Sequence, residues 1–202
     1  MTFGGLMKVK RTNINTEKLV LAAIMTAIVV VLQVMAILTR ALLPIFSINL
    51  VLIPIVIGAA IGGVGVGAWL GFVSGVAVLI SGDAAAFLAI NIGGTIITVL
   101  LKGTLCGMAA AGVYKLLEKK NQYLAVICAA IACPITNTGV FLLGSLTFFM
   151  DTIRAWGSAS GYENGFVYIL VGMIGINFII ELVLNIALSP VVFKLLKIKD
   201  KK

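Results

Sequence analysis

Long uncharged stretches alternate with short charged ones along this chain. Uncharged runs cover residues 19–39, 41–82, 84–101, 121–150 and 164–180, and each is close to or longer than the ~20 residues that cross ~30 Å of hydrocarbon. Most of these runs are apolar on every side and do not alternate between apolar and polar residues, which favours a helix bundle over a transmembrane barrel. The pattern predicts an all-α membrane protein.

Six spans are predicted from these runs and from the turn residues that interrupt them. The run 41–82 is long enough for two crossings, and Gly62-Gly63-Val64-Gly65 near its middle favour a reversal. Pro54 is expected to kink the second span, and Asn91 is expected to make the start of the fourth irregular. One integral membrane domain, 1–202, then consists of a basic segment at 1–16 and spans at about 17–39, 47–61, 64–81, 95–117, 122–149 and 165–193.

Basic residues are distributed unequally between the two ends of these spans. Of the 15 Lys and Arg residues, Lys102 lies within a span, and only Arg40 and Arg154 lie on the side opposite the termini. Because cytoplasmic segments carry the excess of Lys and Arg, both termini are predicted to be cytoplasmic in a multi-pass plasma-membrane protein. Most of the net charge of +8 is explained by basic cytoplasmic segments that lie next to anionic lipid. No nucleic-acid partner is therefore expected.

Composition argues against an enzyme. The chain is 61% hydrophobic and contains no histidine, which removes His-ligated metal sites and Ser-His or Cys-His nucleophiles. It has no G-x-x-x-x-G-K-[ST] phosphate-binding loop, so it cannot use ATP by itself. Its three cysteines lie in apolar segments without a C-x-x-C pair and are expected to be buried thiols. Neither a metal nor a cofactor is therefore expected.

Small residues recur at four-residue spacing on several predicted spans. The third and fourth spans carry Gly63, Gly67, Gly71, Gly75, and Gly103, Gly107, Ala111. Such faces let another helix approach closely, and packing within the protein is the simplest explanation for these two spans. On the first span, Ala23 and Ala27 follow a basic segment, where a partner protein has access.

Two segments, Leu19–Ala27 (LVLAAIMTA) and Asn177–Pro190 (NFIIELVLNIALSP), resemble parts of the substrate-binding S components of energy-coupling factor (ECF) vitamin transporters. In that family the alanine motif packs on a transmembrane T component, so the resemblance implies that Ala23 and Ala27 form a docking face. It also implies that a vitamin binds at the outer face beneath the loop between spans 1 and 2. The protein then topples to release it inside, and two partner ATPase subunits supply the energy.

Charges inside the predicted spans are the first candidates for substrate binding. A charge at the centre of a membrane helix costs ~2.5–3.5 kcal/mol on insertion scales. Lys102 and Glu181 are therefore each expected to have a structural or functional role. Asn177, Glu181 and Asn185 are one turn apart and share a helix face. Two explanations stay open: Lys102 and Glu181 pair structurally, or Lys102 meets an anionic group of the substrate. An uncompensated positive charge favours a carboxylate-bearing vitamin such as pantothenate or folate.

Further candidates come from the outer connections and from a kinked span. Segment 150–165 mixes aromatic residues, charges and glycines, and is expected to cover a pocket or to lie at the lipid headgroups. Asn91 and Gly82-Asp83 are expected in the floor of an outward cavity, and polar residues after Pro134 are expected to line it. The predicted substrate-binding residues are Lys102, Asn91, Asn137, Asn177, Glu181, Arg40, Trp156 and Tyr162.

The sequence therefore favours a substrate-binding subunit of an ECF-type importer for a water-soluble vitamin or related micronutrient. Its expected partners are that vitamin, the T component, two ATPase subunits and the lipid bilayer. The alternative is a stand-alone secondary transporter or channel subunit for a small solute. The two halves of the chain show no obvious internal repeat, which most such carriers have.

Overall fold

The structure is a computed structural model that describes residues 16–42 and 50–199. All regular structure in these two ranges is helical. The helices, in chain order, are α1 Thr16–Leu42, α2 Leu52–Gly62, α3 Val64–Ile80, α4 Ala85–Leu88, α5 Ile92–Leu117, α6 Gln122–Phe148, α7 Met150–Ala159, α8 Gly165–Val167, a π-helix Tyr168–Ile174, and α9 Gly175–Lys199.

Four helices within the described ranges are long and apolar enough to cross a membrane: Thr16–Leu38, Ile92–Leu117, Gln122–Phe148 and Gly165–Ile198. Helices α2 and α3 are also apolar but shorter, with 11 and 17 residues. The chain is therefore a helical membrane protein. The count of six crossings and the cytoplasmic position of both termini remain predictions.

Helix α2 differs from its predicted form at its start. It begins at Leu52, after a turn at Leu50 and Val51, whereas the span was expected from about 47. Pro54 consequently lies in the first turn, where a helix has no intrahelical partner for the N–H that proline lacks. The expected kink at Pro54 is therefore wrong, because the proline lies at the start of the helix and not in its interior.

The position of α2 explains its composition. It contacts α1, α3, α5, α6 and α9, so it lies at the centre of the bundle. Leu52 and Ile55 are completely buried, in a core shared with Leu70 of α3 and Val126 of α6. A helix surrounded by other helices is apolar on all faces, as α2 is.

The helical structure is interrupted at Asn91, as expected, but α5 begins at Ile92, before the predicted start at about 95. The short helix α4 ends before Asn91, and the Asn91 side chain accepts a hydrogen bond from the backbone N–H of Gly94 at 2.9 Å. This bond satisfies one of the N–H groups that have no intrahelical partner at the start of α5. Asn121 caps α6 in the same way, accepting from the N–H of Leu124 at 3.1 Å.

The last helix continues past a proline. Pro190 has no N–H to donate to the carbonyl of Ile186, and the hydroxyl of Ser189 donates to that carbonyl instead. Helix α9 thus extends to Lys199, beyond the predicted end near 193.

Helices α3 and α5 touch backbone to backbone. Their facing residues run in opposite order along the two helices and pair as Gly67 with Gly107, Gly71 with Gly103, and Gly75 with Val99. A Cβ atom on Gly67 would lie 2.5 Å from the carbonyl oxygen of Gly107, and one on Gly75 would lie 2.9 Å from that of Val99. The prediction that small residues on these spans pack inside the protein is confirmed for these five glycines, whereas Gly63 lies before α3 with open space around its Cβ position.

We expect Gly103→Ala to lower the free energy of unfolding by about 1–3 kcal/mol, because the new methyl group collides with the backbone of Gly71. Gly112→Ala is the matched control, since it lies on the same helix with open space around its Cβ position. It should leave stability unchanged or raise it slightly. Thermal unfolding in detergent measures both variants, and equal stabilities would contradict this account of the interface.

Candidate ligand-binding cavity

A cavity of about 310 Å³ lies between α1, α3, α5, α6 and the last helix. Its walls come from the second half of α1, the end of α3, the first half of α5, the second half of α6 and the region around the start of α9. It therefore lies in the half of the bundle remote from Thr16 and from the turn between α5 and α6. Its volume is in the range of small-molecule sites, ~300–1,000 Å³.

Polar side chains are concentrated in this cavity although the surrounding helices are apolar. Those that line it are Gln33, Asp83, Thr95, Thr98, Lys102, Asn137, Thr138, Asn177 and Glu181. Polar groups are costly inside a membrane bundle unless they bind a partner or line a path for a solute. Their convergence on one space identifies the cavity as the candidate functional site.

The aromatic part of the lining consists of four phenylalanines, Phe87, Phe141, Phe149 and Phe178. Phe87 packs edge-on against Phe141 and Phe149, with ring centroids 5.9 and 5.0 Å apart. The ammonium nitrogen of Lys102 lies 5.4 Å from the centroid of Phe141, within cation–π distance. Aromatic rings therefore flank the charged residue directly.

Lys102 and Glu181 face the same cavity but do not form an ion pair. Among the described side chains, those of residues 16–38 and 50–199, neither has an oppositely charged atom within 4.0 Å. The structural pair that the sequence left open is thus not formed here. Both groups remain available to a ligand.

Asp83 changes the charge balance expected from the sequence. It lies after α3 and lines the cavity, so the lining carries two carboxylates, Asp83 and Glu181, against one lysine. The side-chain amide of Gln33 donates to the Asp83 carboxylate at 2.6 Å and lies 3.3 Å from the hydroxyl of Ser81. Among the described lining residues, carboxylates therefore outnumber lysines two to one.

Two buried polar atoms in the cavity wall have no hydrogen-bond partner among the described residues: the hydroxyl oxygen of Thr98 and the side-chain carbonyl oxygen of Asn177. Thr98 is only 5% exposed. Nearly all buried polar atoms in proteins are paired, so these two are exceptions. The Thr98 hydroxyl oxygen faces α6, since a Cβ atom on Gly144 would collide with it.

Four of the eight predicted binding residues line the cavity: Lys102, Asn137, Asn177 and Glu181. Asn137 lies near enough to donate weakly to the Cys106 sulfur, at 3.8 Å. Asn185, expected on the same face as Glu181, instead donates to the backbone carbonyl of Glu181 at 2.8 Å and does not line the cavity.

Three of the other four predicted residues, Asn91, Trp156 and Tyr162, are not among the described lining residues. Asn91 caps α5, as described above. Trp156 packs on the outer side of Phe87, with ring centroids 5.6 Å apart, and Tyr162 packs on Tyr168 at 5.3 Å. The side chain of Arg40 lies outside the described residues, as does most of the connection between α1 and α2 that was expected to close the pocket.

The segment after α6 is more ordered than a simple loop. It forms α7, whose Ile153 is completely buried in a small cluster with Phe149 and Ile169. Because Phe149 lines the cavity and Trp156 packs on Phe87, α7 supports the cavity wall from outside. The π-helix that follows contributes Met173 and Ile174 to the lining, and such wide turns occur often at functional sites.

Several lining residues were not predicted. Gln33 is the single amide side chain in the uncharged run 19–39. Its isolation among apolar residues is a sequence feature from which its place in a polar site could have been predicted. Thr95 and Thr98 resemble ordinary small residues of membrane helices. The four phenylalanines carry no sequence signal that separates them from the other six in the chain.

The fold and this site define a helical membrane protein with an internal polar cavity. The family model described as "ECF transporter, substrate-specific component" matches residues 17–193. The chain belongs to this family and is thus a subunit of a membrane transporter and not an enzyme. No curated protein and no solved structure matches the chain significantly.

We expect Gln33→Leu to lower the free energy of unfolding by about 1.5–3 kcal/mol, the usual contribution of a hydrogen bond to a charged group. The cause is loss of the amide that holds Asp83. Gln33→Glu should be at least as damaging, because it places two carboxylates next to each other. Denaturant unfolding in detergent measures both effects. Wild-type stability of both variants would show that this bond does not fix α1 to the cavity.

Proposed function

We propose that this chain captures a water-soluble vitamin or related micronutrient from outside the cell and delivers it inward as the S component of an ECF importer. The observation that carries the proposal is a cavity lined by polar side chains in a chain of this family. A space of this size suits a small solute, and its polar lining suits one that dissolves in water.

The proposal includes six crossings with both termini in the cytoplasm. Helices α2 and α3 would supply two short crossings. Neighbouring helices surround α2, whereas α3 exposes one side that carries Trp69 and Phe72. Lys115, Lys119 and Lys194 lie at the end of the bundle remote from the cavity. The positive-inside tendency therefore supports an outward-facing cavity.

The proposal assigns docking on the T component to α1. Ala23 and Ala27 are exposed and lie one turn apart, in the half of α1 remote from the cavity. Their small side chains permit close approach of a partner helix. Toppling of the docked subunit would then carry the cavity from one side of the membrane to the other, driven by the partner ATPases.

We expect Ala23→Trp and Ala27→Trp to abolish assembly with the T component and uptake, because tryptophan prevents close helix contact. Affinity of the isolated subunit for its solute should stay nearly unchanged, since the cavity lies elsewhere. Ile28→Trp is the matched control: Ile28 is exposed but projects about 100° around the helix from Ala27. Pull-down and binding assays read the two effects, and equal loss of binding and assembly would overturn the docking role.

A stand-alone secondary transporter makes the opposite prediction in liposomes. We expect the purified chain alone to bind solute without moving it down a concentration gradient, and the complete complex to accumulate it with ATP. If the chain alone moves the bound solute at a rate comparable to that of the complex, it acts as a carrier or channel and not as an S component.

A further inference from the structure

We propose that the end of the bundle remote from the cavity carries a binding site for the headgroup of an anionic phospholipid, formed where the start of α6 meets the end of α9. The site consists of a basic patch beside an aromatic pair, Tyr123 and Phe193. The basic patch is defined by four exposed lysines, Lys119, Lys120, Lys194 and Lys197. This site goes beyond the proposed function and does not depend on which solute the cavity captures.

The aromatic pair brings the two halves of the basic patch together. The rings of Tyr123, in the first turn of α6, and Phe193, near the end of α9, pack edge-on with centroids 5.1 Å apart. Lys120 lies three residues before Tyr123, and the ammonium nitrogen of Lys197 lies 4.7 Å from the centroid of the Phe193 ring. Tyr123 is 41% exposed, and tyrosine is enriched where membranes meet water. Lysines from two separate segments therefore lie within about one helical turn of the same aromatic contact.

The positive charge of the basic patch is not neutralised by the described side chains. None of its four lysines has a carboxylate oxygen within 4.0 Å among them. Glu118 precedes the patch in the α5–α6 turn, and Asp200 is the single acidic residue of the sequence outside the described residues. Even if both carboxylates lie beside the patch, the four lysines exceed them. A phosphate group therefore finds excess positive charge here.

Exposed apolar side chains alternate with the lysines at the end of α9. Leu195 and Ile198 follow Lys194 and Lys197, and Ile198 is 60% exposed although it lies beyond both lysines. The apolar span Gly165–Ile198 thus includes the lysines in its last turns. Lysines at the ends of membrane helices extend their methylene chains so that the ammonium groups reach the headgroups. A phospholipid offers acyl chains to the apolar residues and a phosphate to the lysines, whereas an acidic protein surface offers only charges.

Native mass spectrometry of the delipidated chain in detergent tests the site, because it counts bound lipids and gives the dissociation constant of the first. The probes are phosphatidylglycerol and phosphatidylcholine with identical acyl chains. We expect phosphatidylglycerol to bind at least roughly tenfold more tightly, since each lysine near an anionic lipid contributes roughly fivefold, or about 1 kcal/mol. Glycerol phosphate, the soluble counterpart of the headgroup, should not displace the lipid.

Single variants locate the site on the basic patch. Lys120→Gln and Lys197→Gln should each weaken phosphatidylglycerol binding roughly fivefold and leave phosphatidylcholine binding unchanged. Lys197→Arg should retain binding, because arginine also binds phosphate. Lys18→Gln is the matched control: it removes an exposed lysine at the same end of the bundle, but from α1, which packs on α2 and α3. It should leave the affinity for the first phosphatidylglycerol unchanged.

Four results would overturn the inference. Equal affinity for the two lipids would remove the headgroup site, and equal weakening by Lys18→Gln and Lys197→Gln would reduce it to general charge attraction. Displacement by glycerol phosphate would indicate an anion site that does not need a lipid. Loss of assembly with the T component after Lys197→Gln, with lipid binding unchanged, would assign the basic patch to a partner protein. Solute capture is tested separately, because these variants lie remote from the cavity.

Discussion

The backbone contact between α3 and α5 is the constraint on which the cavity depends. Because Gly71 faces Gly103 and Gly75 faces Val99, the two helix axes come close without side chains between them. The contact also fixes their register. The connection after α3, which carries Asp83, therefore lies level with the first turns of α5. Lys102 directly precedes Gly103, which is part of the glycine contact.

The cavity concentrates the polar groups that an apolar bundle otherwise excludes. Some have partners within the protein, as Asp83 has in Gln33, and these bonds tie α1 to the end of α3. Others, such as the side-chain oxygen of Asn177, have no partner among the described residues. The polar groups of the cavity therefore differ in how far the protein itself satisfies them.

Helix α1 joins two functions in the proposed mechanism. One half carries the exposed small residues Ala23 and Ala27, and the other half contributes Gln33 and Ala36 to the cavity. Most of its surface is exposed, so few contacts hold it to the bundle, among them the bond from the Trp69 ring N–H to the Thr26 hydroxyl at 3.1 Å. A helix held in this way can transmit docking to the cavity.

The sequence by itself determined the helices, the membrane class, the family and the close-packing glycines, because hydrophobic runs, turn residues and four-residue spacing act within one helix. It also indicated Lys102, Asn137, Asn177 and Glu181, since polar residues inside an apolar span are conspicuous. Asp83 was likewise expected in the floor of the cavity. Only the tertiary structure decided that four phenylalanines share this cavity and that Asn91 and Trp156 do not line it. Those positions depend on how separate helices meet, and a residue such as Asn91 can equally cap its own helix, which local sequence does not distinguish from binding a ligand.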